Sequence, residues 1–375
     1  MTTQDPSPAS RPARIVAVAG ARPNFMKIAP LLREVERRPG VEAFLVHTGQ
    51  HYDEAMSKNF FKDLRIKEPD LNLEVGSGSH AEQTASVLVK MERVLIEQNP
   101  DLLLVVGDVN STLAASLAAV KLEIPVAHVE AGLRSGDRAM PEEINRILTD
   151  SISTWLFTTE EEANHNLMKE GIPEDRIHHV GNVMIDTLFD KLQEARKRDT
   201  VERLGLEAGK YALLTLHRPS NVDDPEVLRG IFETLEQIHE KLPILFPVHP
   251  RTRASIEKKL GNVEPRLQLA EPMGYLDFLK LMSDARLVFT DSGGIQEETT
   301  ALGVTCLTLR ENTERPVTVS EGTNTIVGSD PKTILIEADK ALRGDGKAGR
   351  TPALWDGQAA GRILDILEND VRKTS

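Results

Sequence analysis

The sequence predicts an α/β protein of two doubly wound, Rossmann-like domains facing each other across a cleft. Three observations carry that prediction. Short, nearly continuous apolar runs alternate with helical patterns along the chain, as parallel strands buried on both faces require. The alternation pauses in a charged stretch, residues 188–209, and starts afresh at Tyr211. At 375 residues the chain also exceeds what one hydrophobic core ordinarily serves.

The elements follow in order. Ile15-Val16-Ala17-Val18 reads as a strand, and residues 28–37 repeat apolar positions at helical spacing. A strand at 43–46 and a helix through Met56, Phe60 and Phe61 come next. Ser79 and Glu82 stand at capping-box spacing and open a long helix to about Gln98. A strand at 102–106, a helix at 112–122 and a strand at 126–129 complete the pattern of the first half. The second half places strands at 211–216, 244–248, 287–290 and 305–309. The implied division is a disordered tail at 1–13, a first domain at 14–187, a second at 188–356 and an amphipathic closing segment at 357–375.

Composition narrows the function. Apolar residues form 40% and charged residues 27% of the chain, the balance of a globular protein, and no apolar run is long enough to span a bilayer. The tail has no apolar stretch and does not read as a secretory signal. A net charge of −13 argues against nucleic acid and acidic membranes as partners. The lone cysteine, Cys306, rules out an intrachain disulfide, and its apolar neighbours make it a core thiol; a cytoplasmic setting is expected.

In doubly wound folds the residues just after the strands line the ligand crevice. The strand ends here carry Gly20-Ala21-Arg22-Pro23-Asn24 with Lys27 beyond, Gly107-Asp108-Val109-Asn110, and Glu130-Ala131-Gly132-Leu133-Arg134. The second half contributes His217-Arg218-Pro219, His249-Pro250-Arg251 and Asp291-Ser292-Gly293-Gly294. The last of these, before a helix at 295–301, has the form of an anion site: glycines admit a phosphate close to the free amides of a first helical turn. No Walker lysine and no spaced Gly-x-Gly-x-x-Gly accompanies it, which excludes nucleoside triphosphate and nicotinamide sites of the usual kind.

Arg22, Lys27 and Arg315 can balance a diphosphate, although each alone reads as a solvated surface cation. Asp108, Glu130 and Glu142 are carboxylates at or beyond two neighbouring strand ends, and their convergence favours acid–base work. Taken singly, Asp108 reads equally as a helix cap beside Ser111 and Thr112, and the glutamates as surface ion pairs. The ten histidines show no metal-ligand spacing, so no metal is expected. His51, His217 and His249 follow strands and suit hydrogen bonding or proton shuttling, while His47, His80, His128, His165 and His239 read as structural.

Seven motifs in order then resemble one family. They are Gly20-Ala21-Arg22-Pro23, His47-Thr48-Gly49-Gln50-His51, Gly107-Asp108-Val109-Asn110-Ser111-Thr112, His128-Val129-Glu130-Ala131-Gly132-Leu133-Arg134, Pro141-Glu142-Glu143-Ile144-Asn145-Arg146, Asp291-Ser292-Gly293-Gly294-Ile295-Gln296-Glu297-Glu298 and Thr313-Glu314-Arg315-Pro316. The chain resembles the non-hydrolysing UDP-N-acetylglucosamine 2-epimerases from about Arg14 to Val371.

That resemblance implies the glycosyltransferase-B architecture, a closing helix that packs on the first domain, and a homodimer. It implies elimination of UDP to a 2-acetamidoglucal and re-addition with inversion at C2, without cofactor, supplying N-acetylmannosamine-type precursors for cell-surface polysaccharide. It assigns acid–base work to Asp108, Glu130 and Glu142, and a place near the diphosphate to His217. Substrate or nucleotide contacts fall to Arg22, Lys27, Arg146, His249, Ser292, Gly293, Gly294, Glu298 and Arg315.

Two departures from the family pattern matter. Gln50 and His51, with His249, fit a second, activating nucleotide-sugar site, but the segment 76–84 lacks the arginine that such members carry, so a near-hyperbolic rate dependence is expected. The segment Arg138-Ala139-Met140-Pro141-Glu142 is short and resembles a branch that includes epimerases of UDP-2,3-diacetamido uronic acids. The alternatives are therefore that related epimerase and a glycosyltransferase of the same architecture. A transferase would share the nucleotide loop but would not require the three carboxylates.

Overall fold

The computed structural model describes residues 11–49, 65–248, 250–261 and 266–374. The expected helix through Met56, Phe60 and Phe61 lies outside them, as do Gln50, His51 and His249. The chain divides into two compact units, residues 1–187 with 353–375, and residues 188–352.

The first unit holds a parallel sheet of β1 (Ala13–Ala19), β2 (Val41–His47), β3 (Leu71–Asn72), β4 (Leu102–Val106), β5 (Val126–Ala131), β6 (Trp155–Thr158) and β7 (Ile177–His179). Their order is β3-β2-β1-β4-β5-β6-β7. All five residues of β4 and all six of β5 are buried, which is why these strands are apolar at every position but a few with special roles. The helix Asn110–Lys121 offers Ala114, Ala115, Ala118 and Ala119, all buried, so it packs close against the sheet. The Ser79 cap is formed as expected: its hydroxyl accepts from the Glu82 N–H, and the Glu82 carboxylate accepts from the Ser79 N–H at 2.9 Å.

The second unit holds β8 (Ala212–Thr215), β9 (Ile244–Pro247), β10 (Gln268–Ala270), β11 (Leu287–Thr290), β12 (Thr305–Thr308) and β13 (Asn324–Ile326). Their order, β10-β9-β8-β11-β12-β13, repeats the doubly wound plan, and every pairing in both sheets is parallel. Cys306 is fully buried in β12, where burial pushes its thiol up to about 11, as a core thiol should behave.

Several boundaries differ from the sequence reading. The first helix spans Arg22–Glu36, six residues earlier than its apolar repeat suggests, because Pro23 is tolerated in a first turn that needs no N–H partner. The charged stretch 188–209 is not one element: it holds the last part of the helix Val183–Ala195 and a short helix Thr200–Arg203. β5 runs two residues further than expected, through Glu130 and Ala131. The helix Ala359–Thr374 belongs to the first unit, where Asp186 accepts from the N–H groups of Ala359 (3.1 Å) and Ala360 (2.8 Å) at its start.

Candidate active site

In both sheets the strand order reverses direction beside the first strand, between β1 and β4 and between β8 and β11. Such switch points open crevices at the carboxyl ends of the strands. The predicted site residues that are described divide between the two units, on or beyond these strand ends and in the helices that follow them.

In the first unit, Asn24 joins the two strand ends that matter. Its side-chain oxygen accepts from the Ala21 N–H at 2.9 Å, and its amide donates to the Val106 carbonyl at 3.0 Å. Lys27, one turn on, forms an ion pair with Glu130. Both are buried, at 8% and 2% exposure, so Lys27 is not the solvated cation that it resembles in isolation. Glu130 sits at an irregularity where the register between β5 and β6 shifts, with φ 76°. A left-handed conformation at a non-glycine residue costs about 1–3 kcal/mol and persists only where the surroundings enforce it.

Asp108 does not cap the following helix, whose N-cap is Val109. Its carboxylate accepts from Arg146 Nη1 at 2.5 Å instead. Arg146 is only 2% exposed and is held from the other side by Glu143, which accepts from its Nη2 at 2.7 Å. Glu143 also accepts from the N–H groups of Ser135 (3.0 Å) and Gly136 (2.9 Å). Burial alone would raise the Glu143 carboxyl, but these N–H groups and Arg146 hold it below its usual range. Glu142 stands half-buried in the first turn of the helix Pro141–Ile152. Arg22 opens its helix, and its side chain is outside the described set.

In the second unit, His217 follows β8, and its Nδ1 lies 2.8 Å from Asp291 Oδ1. The buried Asp291 also accepts from the N–H groups of His217 (2.9 Å) and Arg218 (2.8 Å), which ties the two strand ends together. Burial would raise the Asp291 carboxyl; the imidazole and these N–H groups keep it low. The ring meets Asp291 through Nδ1, and 60% of the side chain is exposed.

Ser292, Gly293 and Gly294 lead into the helix Gly293–Leu302, which has no side-chain cap and no acidic residue in its first turn. A cation cluster lies beside this turn. Glu314 pairs with Arg310 at 2.8 Å, and Arg315 pairs with Glu297 at 2.7 Å. Burial opposes the Glu314 charge, but Arg315 and Arg310 outweigh it and bring the carboxyl to about 2. Arg315 is thus a buried, paired guanidinium at 5% exposure and not a surface cation. Glu298, also buried, accepts from the Tyr275 hydroxyl at 2.8 Å.

Sequence reasoning missed the residues that hold these groups in place: Glu143 behind Arg146, Asp291 behind His217, Glu297 behind Arg315 and Tyr275 beside Glu298. Three of them stand inside the quoted motifs, but only Glu143 lies within a helical turn of the residue it braces; Asp291 is 74 residues from His217, and Glu297 and Arg315 belong to different motifs. Tyr275 stands in no motif. Among the described residues no three His, Cys, Asp or Glu side chains gather as a metal site, and no helix is long and apolar enough to cross a membrane.

The chain is similar to known proteins over most of its length. The family model described as UDP-N-acetylglucosamine 2-epimerase matches residues 33–368. A UDP-N-acetylglucosamine 2-epimerase of Methanococcus maripaludis is 44% identical, over 90% of this chain and 96% of its own length. A Pseudomonas aeruginosa relative named UDP-2,3-diacetamido-2,3-dideoxy-D-glucuronate 2-epimerase is 39% identical, over 94% of this chain and 99% of its own. The Methanocaldococcus jannaschii UDP-GlcNAc 2-epimerase, solved with UDP-GlcNAc and UDP, superimposes with a TM-score of 0.85 at 42% identity, covering 95% of this chain and 99% of that one. The chain belongs to the UDP-N-acetylglucosamine 2-epimerase family.

Proposed function

We propose that the protein interconverts UDP-N-acetylglucosamine and UDP-N-acetylmannosamine by eliminating UDP and adding it back to the opposite face. The observation that carries this reading is the pairing of two strand-end carboxylates with buried cations, Asp108 with Arg146 and Glu130 with Lys27. The C2 proton beside an acetamido group is very weakly acidic. Its removal needs a base held in place and concerted departure of a stabilised leaving group. Asp108, Glu130 and Glu142 are assigned to proton transfer at C2 and at the departing oxygen. Arg146 and Lys27 fix two of these carboxylates, and Arg22 is assigned to the anionic substrate.

On the nucleotide side, Ser292, Gly293 and Gly294 present helix-terminal amides to the diphosphate, with His217 and His249 as hydrogen-bonding partners. Arg315 contacts the nucleotide, and Glu298 accepts from the ribose hydroxyls. We assign no metal or redox cofactor, since the basic groups supply the charge stabilisation. By the family resemblance the protein works in the cytoplasm as a homodimer.

The test is direct. Proton NMR of the protein with UDP-N-acetylglucosamine should show the anomeric signal of the manno epimer growing to equilibrium. Persistent absence of that signal would defeat the reading. The second reading, a UDP-2,3-diacetamido uronic acid as substrate, is favoured by the short 138–142 segment and the 39% identical relative. It predicts epimerisation of that sugar alone in the same experiment.

Glu298 adds a pH dependence. Burial, reinforced by Glu297 and opposed by the Tyr275 hydroxyl, pushes its carboxyl up to about 7. Below that value the free protein holds the acid form, which must lose its proton before it can accept from both ribose hydroxyls. Uridine affinity, measured by calorimetry, is expected to weaken about tenfold for each pH unit below 7 and to level off above it. Glu298→Gln should bind weakly with a flat profile. An equally flat profile in the unaltered protein would remove Glu298 from the ribose.

A further inference from the structure

His128 on β5 and Asp150 in the helix Pro141–Ile152 are both fully buried, with Nδ1 2.6 Å from Oδ1. The other ring nitrogen, Nε2, lies 2.9 Å from the Gly107 carbonyl oxygen. A carbonyl oxygen can only accept. Asp150 already accepts from the Gly132 N–H at 3.0 Å and pairs with Arg134 at 2.7 Å, so its carboxylate is an acceptor as well. The ring therefore bridges the Asp150 carboxylate at Nδ1 and the Gly107 carbonyl at Nε2. Burial alone would raise the Asp150 carboxyl, but His128 and Arg134 outweigh it and hold it low.

The backbone groups that this pair grips are the ones next to the carboxylates. Gly107 precedes Asp108 and takes φ 68°; Gly132 follows Glu130, itself at φ 76°, and takes φ 78°. A Cβ added to Gly107 would come within 3.0 Å of Lys27 Nζ and 3.4 Å of Glu130 Oε2. The Gly107 peptide is thus pinned by the His128 ring at its oxygen while the Lys27–Glu130 pair packs against its α-carbon. A hydrogen-bonded core histidine would satisfy its nitrogens anywhere. This one bonds to the turn that presents Asp108, and its partner bonds to the turn that closes the Glu130 irregularity.

We propose that the buried His128–Asp150 pair is a positioning device that holds the Asp108 turn and the Glu130 irregularity in fixed mutual register for proton transfer. The proposal rests on the acid–base assignment of those two carboxylates. Neither His128 nor Asp150 is accessible to substrate, so any effect on the reaction passes through the residues that they hold.

The test uses Asp150→Asn, which keeps an acceptor for the Gly132 N–H without the charge, and His128→Gln, which keeps a donor for the Gly107 carbonyl. Turnover is measured per folded molecule, with folding followed by circular dichroism and nucleotide binding by UDP calorimetry. Each variant is expected to lose about ten- to a hundredfold in kcat, the scale for a small misplacement of reacting groups, with KM and UDP affinity within about twofold. Combined in one chain, His128→Gln and Asp150→Asn should cost little more than either alone, because both act through one pair. Unchanged kcat per folded molecule, or losses that multiply in the double variant, would overturn the proposal. Should His128→Gln not fold, Asp150→Asn and Arg134→Lys carry the same comparison. A wild-type protein without epimerase activity would instead bring down the functional reading beneath it.

Discussion

Asp108→Asn, Glu130→Gln and Glu142→Gln are each expected to lower kcat at least about a hundredfold, the low end for groups that transfer a proton in the transition state. Each change keeps the size of the side chain and removes its capacity to exchange a proton. UDP affinity should move much less, since these residues lie in the first unit and the nucleotide loop in the second. The three variants differ in their side effects. Glu130→Gln leaves Lys27 buried without its charge partner, and breaking a buried pair costs about 3–5 kcal/mol of stability. Asp108→Asn leaves Arg146 with Glu143 still in place, so a smaller loss of stability is expected. Glu142 is half-buried and its isostere should leave the melting temperature nearly unchanged, which makes it the cleanest of the three. Steady-state kinetics corrected for the folded fraction decide the point. Near wild-type turnover in any one variant removes that residue from the chemistry.

Gly293→Val is expected to abolish detectable UDP binding while the fold is retained. A Cβ at Gly293 would come within 2.6 Å of Glu314 Oε1, a carboxylate pinned by Arg310. The substitution therefore both fills the space where a diphosphate meets the helix-terminal amides and displaces the anchored Glu314–Arg310 pair. Ser292→Ala separates the two effects, because it leaves Glu314 undisturbed and removes only a hydroxyl at the same helix start. It should weaken UDP binding modestly. Calorimetry that finds unchanged UDP affinity in a folded Gly293→Val protein would rule out the loop as the diphosphate site.

The strands that organise the two sheets were legible because a strand buried on both faces must be apolar throughout. The run Leu102-Leu103-Leu104-Val105-Val106 can be read in no other way beside a helix of Ala and Ser. Edge strands escaped, and so did the interior strand Trp155–Thr158. Ile177–His179, Gln268–Ala270 and Asn324–Ile326 are three residues long and partly polar, and only their pairing with longer neighbours makes them strands. The site residues were legible by type and by position after a strand. Their partnerships were not: Lys27 and Glu130 are 103 residues apart, and nothing local to either says that they meet. The left-handed φ of Glu130 was hidden for a related reason, since glutamate gives no sign of a conformation that its surroundings impose. Burial likewise reversed the reading of Lys27 and Arg315, because an isolated cation in a sequence looks the same whether solvated or enclosed.

The central claim is that hydrogen at C2 leaves and returns from solvent while UDP departs and comes back. Epimerisation carried out in deuterium oxide, with the product examined by NMR, tests it most directly. The account predicts that the manno epimer carries deuterium at C2 from its first appearance. A manno product that retains its original C2 hydrogen would contradict elimination and require a route that never releases that hydrogen to water.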